Sequence, residues 1–214
     1  MGIKTVYQLQ EKLDKNWAWR KKEIINLINL TKFSQDITQN TNIRSGIVLV
    51  YAHWEGYIKQ SSEYYLQFIT SQNIQMKKFT PNFIAGAMTK AIVECGQTGK
   101  VSKHTKLIEQ LMKKMGEPIK IPYKSLITVQ SNLSSKVLSE ILLTLDLDPS
   151  PYELKFMLID NHLLGQRNKV SHGQYLDIDL KIFLNTTKDI IFLLETFRNQ
   201  LVESAKSGKY LENN

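Results

Sequence analysis

Apolar residues recur every three or four positions along several stretches of the chain, a spacing that is typical of helices with one buried face. The longest stripe runs from Ile43 to Phe68, and a second runs from Phe183 to Leu201 and ends before Gly208. Another stripe begins at Val6. These stretches predict two long helices and the start of a third. Shorter helices are expected at residues 107–115, 137–145 and 152–164.

Signals for strands are weak outside one short segment. Residues 119–123 are rich in β-forming side chains, so a minor β element is expected near residues 119–130. The remaining pattern predicts an all-α fold, a bundle of two long helices and several shorter ones. The 214 residues, 42% of them hydrophobic, suit a single domain over residues 1–214 with a terminal tail at about 206–214.

The chain is basic, with a formal charge of +8 and a pI near 9.4, which favours a polyanionic partner such as RNA. Because its lysines are scattered, an ordinary solvated surface explains the charge equally well. The single cysteine, Cys95, excludes an internal disulfide and fits a reducing compartment. No apolar leader follows Met1, and no stretch reaches about 18 apolar residues. We therefore expect a cytoplasmic protein that does not enter a membrane.

The common catalytic signatures are missing, since there is no GxxxxGK[ST] phosphate loop, no GxGxxG, no HExxH and no GxSxG. Two acidic pairs, Asp146/Asp148 and Asp177/Asp179, lie close to a proline or a glycine. Aspartates in such turns usually bond to the local backbone. We therefore expect neither a metal site nor a cofactor.

The segment RNKVSHG, residues 167–173, places Arg167 and His172 five positions apart. Arginine is always charged and offers a planar fork of donors to phosphate, while histidine transfers protons near neutral pH. RNA cleavage without a metal needs both functions, because the 2′-hydroxyl loses a proton while charge builds on the phosphate. Arg167 and His172 are therefore candidate catalytic residues, and Asn168 is a candidate substrate-binding neighbour.

The same segment also has a purely structural explanation. On a regular helix, side chains five positions apart diverge by roughly 140°. Arg167 and His172 therefore need a distorted helix end, or two copies of the motif in a two-fold dimer, to act on one phosphate. Gly165 and Gly173 bracket the motif and permit such a distortion. A helix C-terminus capped by Gly173, with Lys169 and His172 near its carbonyl end, explains the segment without catalysis.

RNKVSHG followed by a long amphipathic helix, in a basic all-α chain, resembles the HEPN family (higher eukaryotes and prokaryotes nucleotide-binding). That family's signature is an arginine, commonly followed by Asn, Asp or His, and then a histidine after four to six residues. Here these residues are Arg167, Asn168 and His172. YAHWEGYIK (51–59) and SNLSSKVLSEIL (131–142) also resemble segments of stand-alone prokaryotic HEPN-like nucleases. The resemblance covers about residues 40 to 205, and the motif region spans 152–205.

The resemblance implies a helical bundle that forms a homodimer, with a composite site that cleaves RNA without a metal and leaves a 2′,3′-cyclic phosphate. It also implies a toxin or a defence effector, restrained in some relatives by an antitoxin or another regulatory protein. Toxins of one branch carry a tyrosine two residues after the histidine, where a partner modifies it. Here Tyr175 lies three residues after His172, so this form of control is not expected.

Two further positions keep alternative roles. Glu55, together with His53, either reaches the cleft or lies on a helix that faces the core beside Trp54, and the core explanation is favoured. Asn132 either contacts RNA or caps the following helix, and the cap is favoured. Non-catalytic binding of RNA or a nucleotide, and recognition by a partner protein, are the alternatives to RNA cleavage.

Overall fold

The computed structural model describes residues 2–96, 99–127 and 132–212. Over these residues the secondary structure is helical, and the predicted all-α class is confirmed. A 3₁₀ turn at Met76–Lys78 and a π-helix at Leu158–Gly165 accompany the α-helices. The α-helices of the described part are α1 (Val6–Phe33), α2 (Asp36–Ser71), α3 (Pro81–Gly96), α4 (Val101–Met115), α5 (Tyr123–Leu126), α6 (Ser135–Thr144), α7 (Ser150–Glu153), α8 (Gln166–Ser171) and α9 (Leu180–Ser207).

The long helices α1, α2 and α9 pack against one another and enclose the main core. The apolar stripes predicted for α2 and α9 face inward, and Trp54, Tyr57, Phe183 and Phe197 are among the largest fully buried side chains. α9 ends at Ser207 because Gly208, with φ 71°, adopts the left-handed conformation that closes many helices. The longest helix, α2, is therefore held in place by its apolar face, and its other faces are available for contacts outside the main core.

α1 is a third long helix, whereas the sequence pattern shows only its beginning. Its N-terminus is fixed by a capping box between Thr5 and Gln8. Further along, the apolar stripe is interrupted because two buried positions, Asn16 and Arg20, are polar. The Arg20 Nε donates to the Asn16 side chain at 3.1 Å, and a Cβ on Gly56 would lie 2.9 Å from the Arg20 guanidinium. Polar contacts thus replace apolar ones here, and a hydrophobicity pattern does not register them.

The β element expected near residues 119–130 is wrong for the part of it that the structure describes. Residues 123–126 form α5, and the segment before it makes only an isolated bridge between Gln75 and Pro118. The side chains of Ile119 and Ile121 are buried in the hydrophobic core, but the backbone around them does not form a strand. Pro118 and Pro122 have no N–H to donate to a ladder, so the β-forming residues between them do not extend into a strand. Residues 128–131 lie outside the described residues.

The remaining elements complete the surroundings of the bundle. α4 packs against α3 and the 3₁₀ turn. The segment after α9 returns to the core, where the Tyr210 ring stacks on the Phe79 ring with 5.9 Å between the ring centroids. No helix in the described ranges combines the length and apolar character needed to cross a membrane. On another side of the bundle, α2 contacts both α8 and the π-helix, and this junction contains the RNKVSHG segment.

Candidate functional site

A π-helix leads directly into the motif. Residues Leu158–Gly165 continue without a break into α8. The wider turn brings the Asp160 carbonyl oxygen towards Gly165, where a Cβ would lie 3.1 Å from that oxygen. A glycine therefore fits this position without displacing the backbone. π-helical turns are rare in proteins, and those that occur are often found at functional sites. Here the extra residue in the turn rotates α8 about its axis and so sets the direction in which Arg167 faces α2.

RNKVSHG also ends a helix, as its structural explanation predicts. His172 is the C-cap of α8, and Gly173 has a left-handed φ of 73°. The N–H of Gly173 donates to the Val170 carbonyl and the N–H of Gln174 donates to the Lys169 carbonyl, both at 3.0 Å. These bonds form a Schellman motif. The helix end and the candidate site are thus one structure, with the exposed His172 at its tip.

Among the residues that the structure describes, three neutral groups contact Arg167. Its Nη2 donates to Asn132 Oδ1 at 2.9 Å, and its Nη1 donates to Asn168 Oδ1 at 2.8 Å. Its Cζ lies 3.8 Å from the centroid of the Tyr51 ring, well inside the range of a cation–π contact. Because these three partners carry no charge, they orient the guanidinium without cancelling its charge. The resulting half-buried fork of donors has the form that binds phosphate.

Tyr51 connects this arginine to the core of the protein. Its side chain is buried, and its hydroxyl accepts the N–H of Leu133 and donates to Glu55 Oε2, each at 2.6 Å. Burial, followed by the hydrogen bond to Glu55, raises the pKa of Tyr51 to about 12. The hydroxyl therefore keeps its proton at neutral pH, and the ring remains a neutral support for Arg167.

The backbone at residues 133–135 is anchored from two sides. The indole Nε1 of Trp54 donates to the Leu133 carbonyl at 3.4 Å, on the side of α2. The N–H of Ser135 donates to the Asp160 carboxylate at 2.7 Å, on the side of the π-helix. The segment that precedes α6 is therefore fixed relative to both elements that surround Arg167.

This anchoring changes the role expected of Asn132. Ser134 caps α6, because its hydroxyl oxygen accepts the N–H of Val137 at 3.3 Å. The expectation that Asn132 caps the helix is therefore wrong. Its side-chain oxygen instead accepts a hydrogen bond from Arg167, which makes Asn132 part of the candidate site.

The two segments that share the family resemblance with RNKVSHG both contact Arg167. Residues 51–59 do so through the Tyr51 ring, and residues 131–142 do so through the Asn132 side chain. Position 131 lies outside the described residues. Glu55 acts on the site indirectly, through the Tyr51 hydroxyl. His53 is buried against α1, with its Nε2 2.8 Å from Glu23, as the core explanation predicts.

Arg44 and Tyr51 contribute to the site although neither is a candidate site residue on the sequence alone. Together with Glu55 they lie at spacings of seven and four residues, on one face of α2. Arg44 Nη2 donates to the Gln174 carbonyl at 3.2 Å and so holds the chain that follows His172. The detectable signal was this line of polar and aromatic residues, which shares one face of an otherwise core-facing helix.

The acidic pairs have local partners. Asp148 accepts the N–H of Ser150 at 3.0 Å, and Asp179 caps α9, so the predicted backbone-bonding role of turn aspartates is confirmed for these two. Asp146 and Asp177 accept hydrogen bonds from asparagine side chains. Within the described ranges, no three His, Cys, Asp or Glu side chains are grouped as a metal-ligand set.

Comparison with known proteins identifies the class that this fold and site define. A family model described as RiboL-PSP-HEPN matches residues 15–203, a range that includes α2, the motif and most of α9. The chain therefore belongs to a HEPN family, as RNKVSHG and its surroundings predicted. No curated protein and no solved structure matches the chain.

Proposed function

We propose that the protein is an endoribonuclease that cleaves RNA without a metal ion, with Arg167 and His172 as its catalytic residues. The observation that carries the proposal is the support of Arg167 by Tyr51 and Asn132, which keeps its guanidinium oriented and charged at one end of α8. The exposed His172 lies at the other end of the same short helix. Membership of a HEPN family and the formal charge of +8 agree with action on RNA.

The chemistry follows from the properties of these two side chains. One histidine accepts the proton of a 2′-hydroxyl, and the 2′-oxygen attacks the adjacent phosphorus. Arg167 donates to the phosphoryl oxygens as negative charge builds there. The bond from phosphorus to the 5′-oxygen breaks, and that oxygen takes a proton from an acid. The products carry a 2′,3′-cyclic phosphate and a 5′-hydroxyl. Asn168 orients Arg167 and contacts the same phosphate.

The reaction needs both a base and an acid, whereas one motif offers one histidine. A two-fold homodimer with facing motifs supplies both. An exposed apolar surface beside the motif supports this assembly, because Phe33 at the end of α1 and Ile37 at the start of α2 are 87% and 85% exposed. Ile37 lies one turn before Asn40, which donates to Asp177 in the loop that follows the motif. A second copy that covers this surface brings the two motifs together.

The family resemblance also supports a role as a toxin or defence effector. Such a protein acts on RNA in the cytoplasm under the control of an antitoxin or another regulatory protein. An alternative is a non-catalytic module of the same fold that binds RNA or a nucleotide. The two functions differ in their products, since only the nuclease creates new RNA ends.

Product analysis tests the proposal. The purified protein is incubated with a defined RNA in EDTA, and the ends of the fragments are determined by mass spectrometry. We expect 2′,3′-cyclic phosphate and 5′-hydroxyl ends, and resistance of a substrate with a single 2′-deoxy nucleotide at the cleavage site. Cleavage of the deoxy substrate at the same rate, or activity that EDTA abolishes, contradicts the mechanism. Binding without new ends supports the non-catalytic alternative.

A further inference from the structure

The loop between α8 and α9, residues 173–179, is held firmly to the bundle. At its start, the Schellman motif fixes Gly173. In its middle, Asn40 Nδ2 donates to Asp177 at 2.9 Å and the side chain of Ile178 is buried. At its end, the Asp179 carboxylate accepts the N–H groups of the first turn of α9. The backbone of this loop is therefore anchored at its start, in its middle and at its end.

This fixed loop nevertheless presents Tyr175 to solvent, with 76% of the residue exposed. The guanidinium of Arg44 lies over its ring, with Cζ 5.6 Å from the ring centroid. Most of the aromatic surface stays open, although exposing it to water is unfavourable. A rigid support that holds an aromatic ring in solvent is preorganised to stack on a flat ligand, because the ordering cost of binding has already been met.

Arg44 adds an electrostatic feature. Its Nη2 donates to the Gln174 carbonyl, while its Nε is buried without a hydrogen-bond partner within the described ranges. No described carboxylate forms an ion pair with it. The protein thus keeps an arginine in an unfavourable position beside Tyr175 and leaves its charge available to an anion.

The pair is also close to the candidate catalytic residues. Arg44 and Tyr51 share one face of α2 and are two helical turns apart, about 10 Å along the axis. Tyr175 lies three residues beyond His172. Arg44 also donates to the Gln174 carbonyl, two residues beyond His172, so a nucleotide next to the phosphate at Arg167 would approach the ring of Tyr175.

We propose that Tyr175 and Arg44 form a nucleobase subsite, in which an unpaired base stacks on the Tyr175 ring and Arg44 contacts the adjoining phosphate. The proposal rests on the proposed function for the identity of the polymer as RNA and for the phosphate at Arg167. Its consequence is selectivity for single strands, because the bases of a duplex are stacked on one another and cannot stack on the protein.

Binding measurements test this subsite separately from cleavage. A His172→Ala background keeps the RNA intact, and affinity for a short fluorescent single strand is measured by anisotropy. We expect Tyr175→Ala to weaken binding by about tenfold and Tyr175→Phe to retain it, since stacking needs only the ring. Tyr7 on α1 is also 76% exposed, so Tyr7→Ala is a matched control that leaves affinity unchanged. The same sequence as a duplex should bind more weakly.

The salt dependence of binding gives a second readout. We expect Arg44→Gln to lower the slope of log affinity against log salt concentration by about one, the effect of losing one phosphate contact. Light scattering on the Tyr175 variants identifies a different role, contact with another protein copy. A change in mass for Tyr175→Ala, or equal affinities for Tyr175→Ala and Tyr7→Ala, overturns the subsite.

The subsite and the nuclease proposal fail separately. Cleavage of RNA by a protein whose affinity is indifferent to Tyr175 removes the subsite and leaves the nuclease. Single-strand binding that depends on Tyr175, in a protein that produces no new RNA ends, supports the subsite and contradicts the nuclease.

Discussion

The guanidinium of Arg167 lies 3.8 Å from the centre of the Tyr51 ring, which joins the end of the motif helix to the middle of the longest helix of the bundle. The Tyr51 hydroxyl also accepts the N–H of Leu133, next to Asn132, whose side chain bonds Arg167. One buried tyrosine therefore fixes the arginine and the segment that supplies its amide partner. The orientation of Arg167 is set by residues far from the motif in sequence.

Substitutions of Tyr51 separate its two contacts. Tyr51→Phe keeps the ring under Arg167 but leaves the buried N–H of Leu133 without its partner, which should cost about 1–3 kcal/mol of the free energy of unfolding. Tyr51→Leu also loses the cation–π contact, so we expect a larger loss of stability and a lower rate of RNA cleavage than for Tyr51→Phe. Urea unfolding and cleavage assays measure both effects. Equal values for the two variants contradict the role of the ring.

Asn132→Asp distinguishes a structural role of Arg167 from a phosphate-binding one. The carboxylate pairs with the guanidinium, so stability should stay constant or rise by up to about 1 kcal/mol. Cleavage should fall by about tenfold or more, because the new charge neutralises Arg167 and repels phosphate. Asn161→Asp adds the same charge to an exposed position on the π-helix and is the matched control. Unchanged cleavage by Asn132→Asp would mean that Arg167 only supports the fold.

Gly173 closes α8 with a φ of 73°, and a Cβ there meets no atom within 4 Å. The cost of Gly173→Ala therefore comes from the backbone alone, and we expect a loss of about 1–2 kcal/mol in unfolding free energy. Gly173→Asn should cost less, because asparagine tolerates the left-handed region. Gly116 ends α4 with a φ of −86° and open space around it, so Gly116→Ala is a control without this penalty. Similar urea midpoints for the alanine variants at both glycines contradict the assignment.

Much of the bundle could be predicted because burial on one face of a helix leaves a periodic record. The apolar stripes of α2 and α9 are such a record. The glycines that end α8 and α9 are a second local signal, which marks where a helix stops. The full length of α1 could not be predicted, because Asn16 and Arg20 are buried through hydrogen bonding and not through hydrophobicity.

The candidate site divides in the same way. Arg167, Asn168 and His172 are adjacent in sequence, and the family resemblance identifies them. The Tyr51 and Asn132 contacts depend on how distant helices pack and on the rotation that the π-helix imposes on α8. The sequence pattern predicts a helix at residues 152–164, but it does not distinguish a π-helical turn from an α-helical one.

His53 gives the stability of the protein a pH dependence. Burial is the main cause that lowers its pKa below the usual 6.5, against the opposing effect of Glu23. His53 then takes up a proton more readily in the unfolded chain than in the folded protein. Its contribution to the free energy of unfolding is therefore fully present above about pH 6.5 and is lost as the pH falls towards the pKa of the folded state. Urea unfolding between about pH 7.5 and pH 5 should show this decline, and His53→Gln should reduce it. A wild-type slope in His53→Gln contradicts the assignment.

The proposed mechanism depends most on His172, which transfers protons in RNA cleavage. Its side chain is exposed at the end of α8, so His172→Ala should fold with the stability of the wild type and keep its assembly state. Urea unfolding and light scattering check these two conditions. His104→Ala removes an exposed histidine from α4, which packs against α3 and the 3₁₀ turn, and serves as the matched control.

The most direct test is the single-turnover rate of RNA cleavage in EDTA for the wild type, His172→Ala and His104→Ala. We expect His104→Ala to cleave at the wild-type rate and His172→Ala to be slower by about 10²–10⁴, the range for the loss of a general acid or base. A folded His172→Ala protein that cleaves RNA at the wild-type rate would contradict the claim and leave RNKVSHG as the end of a helix.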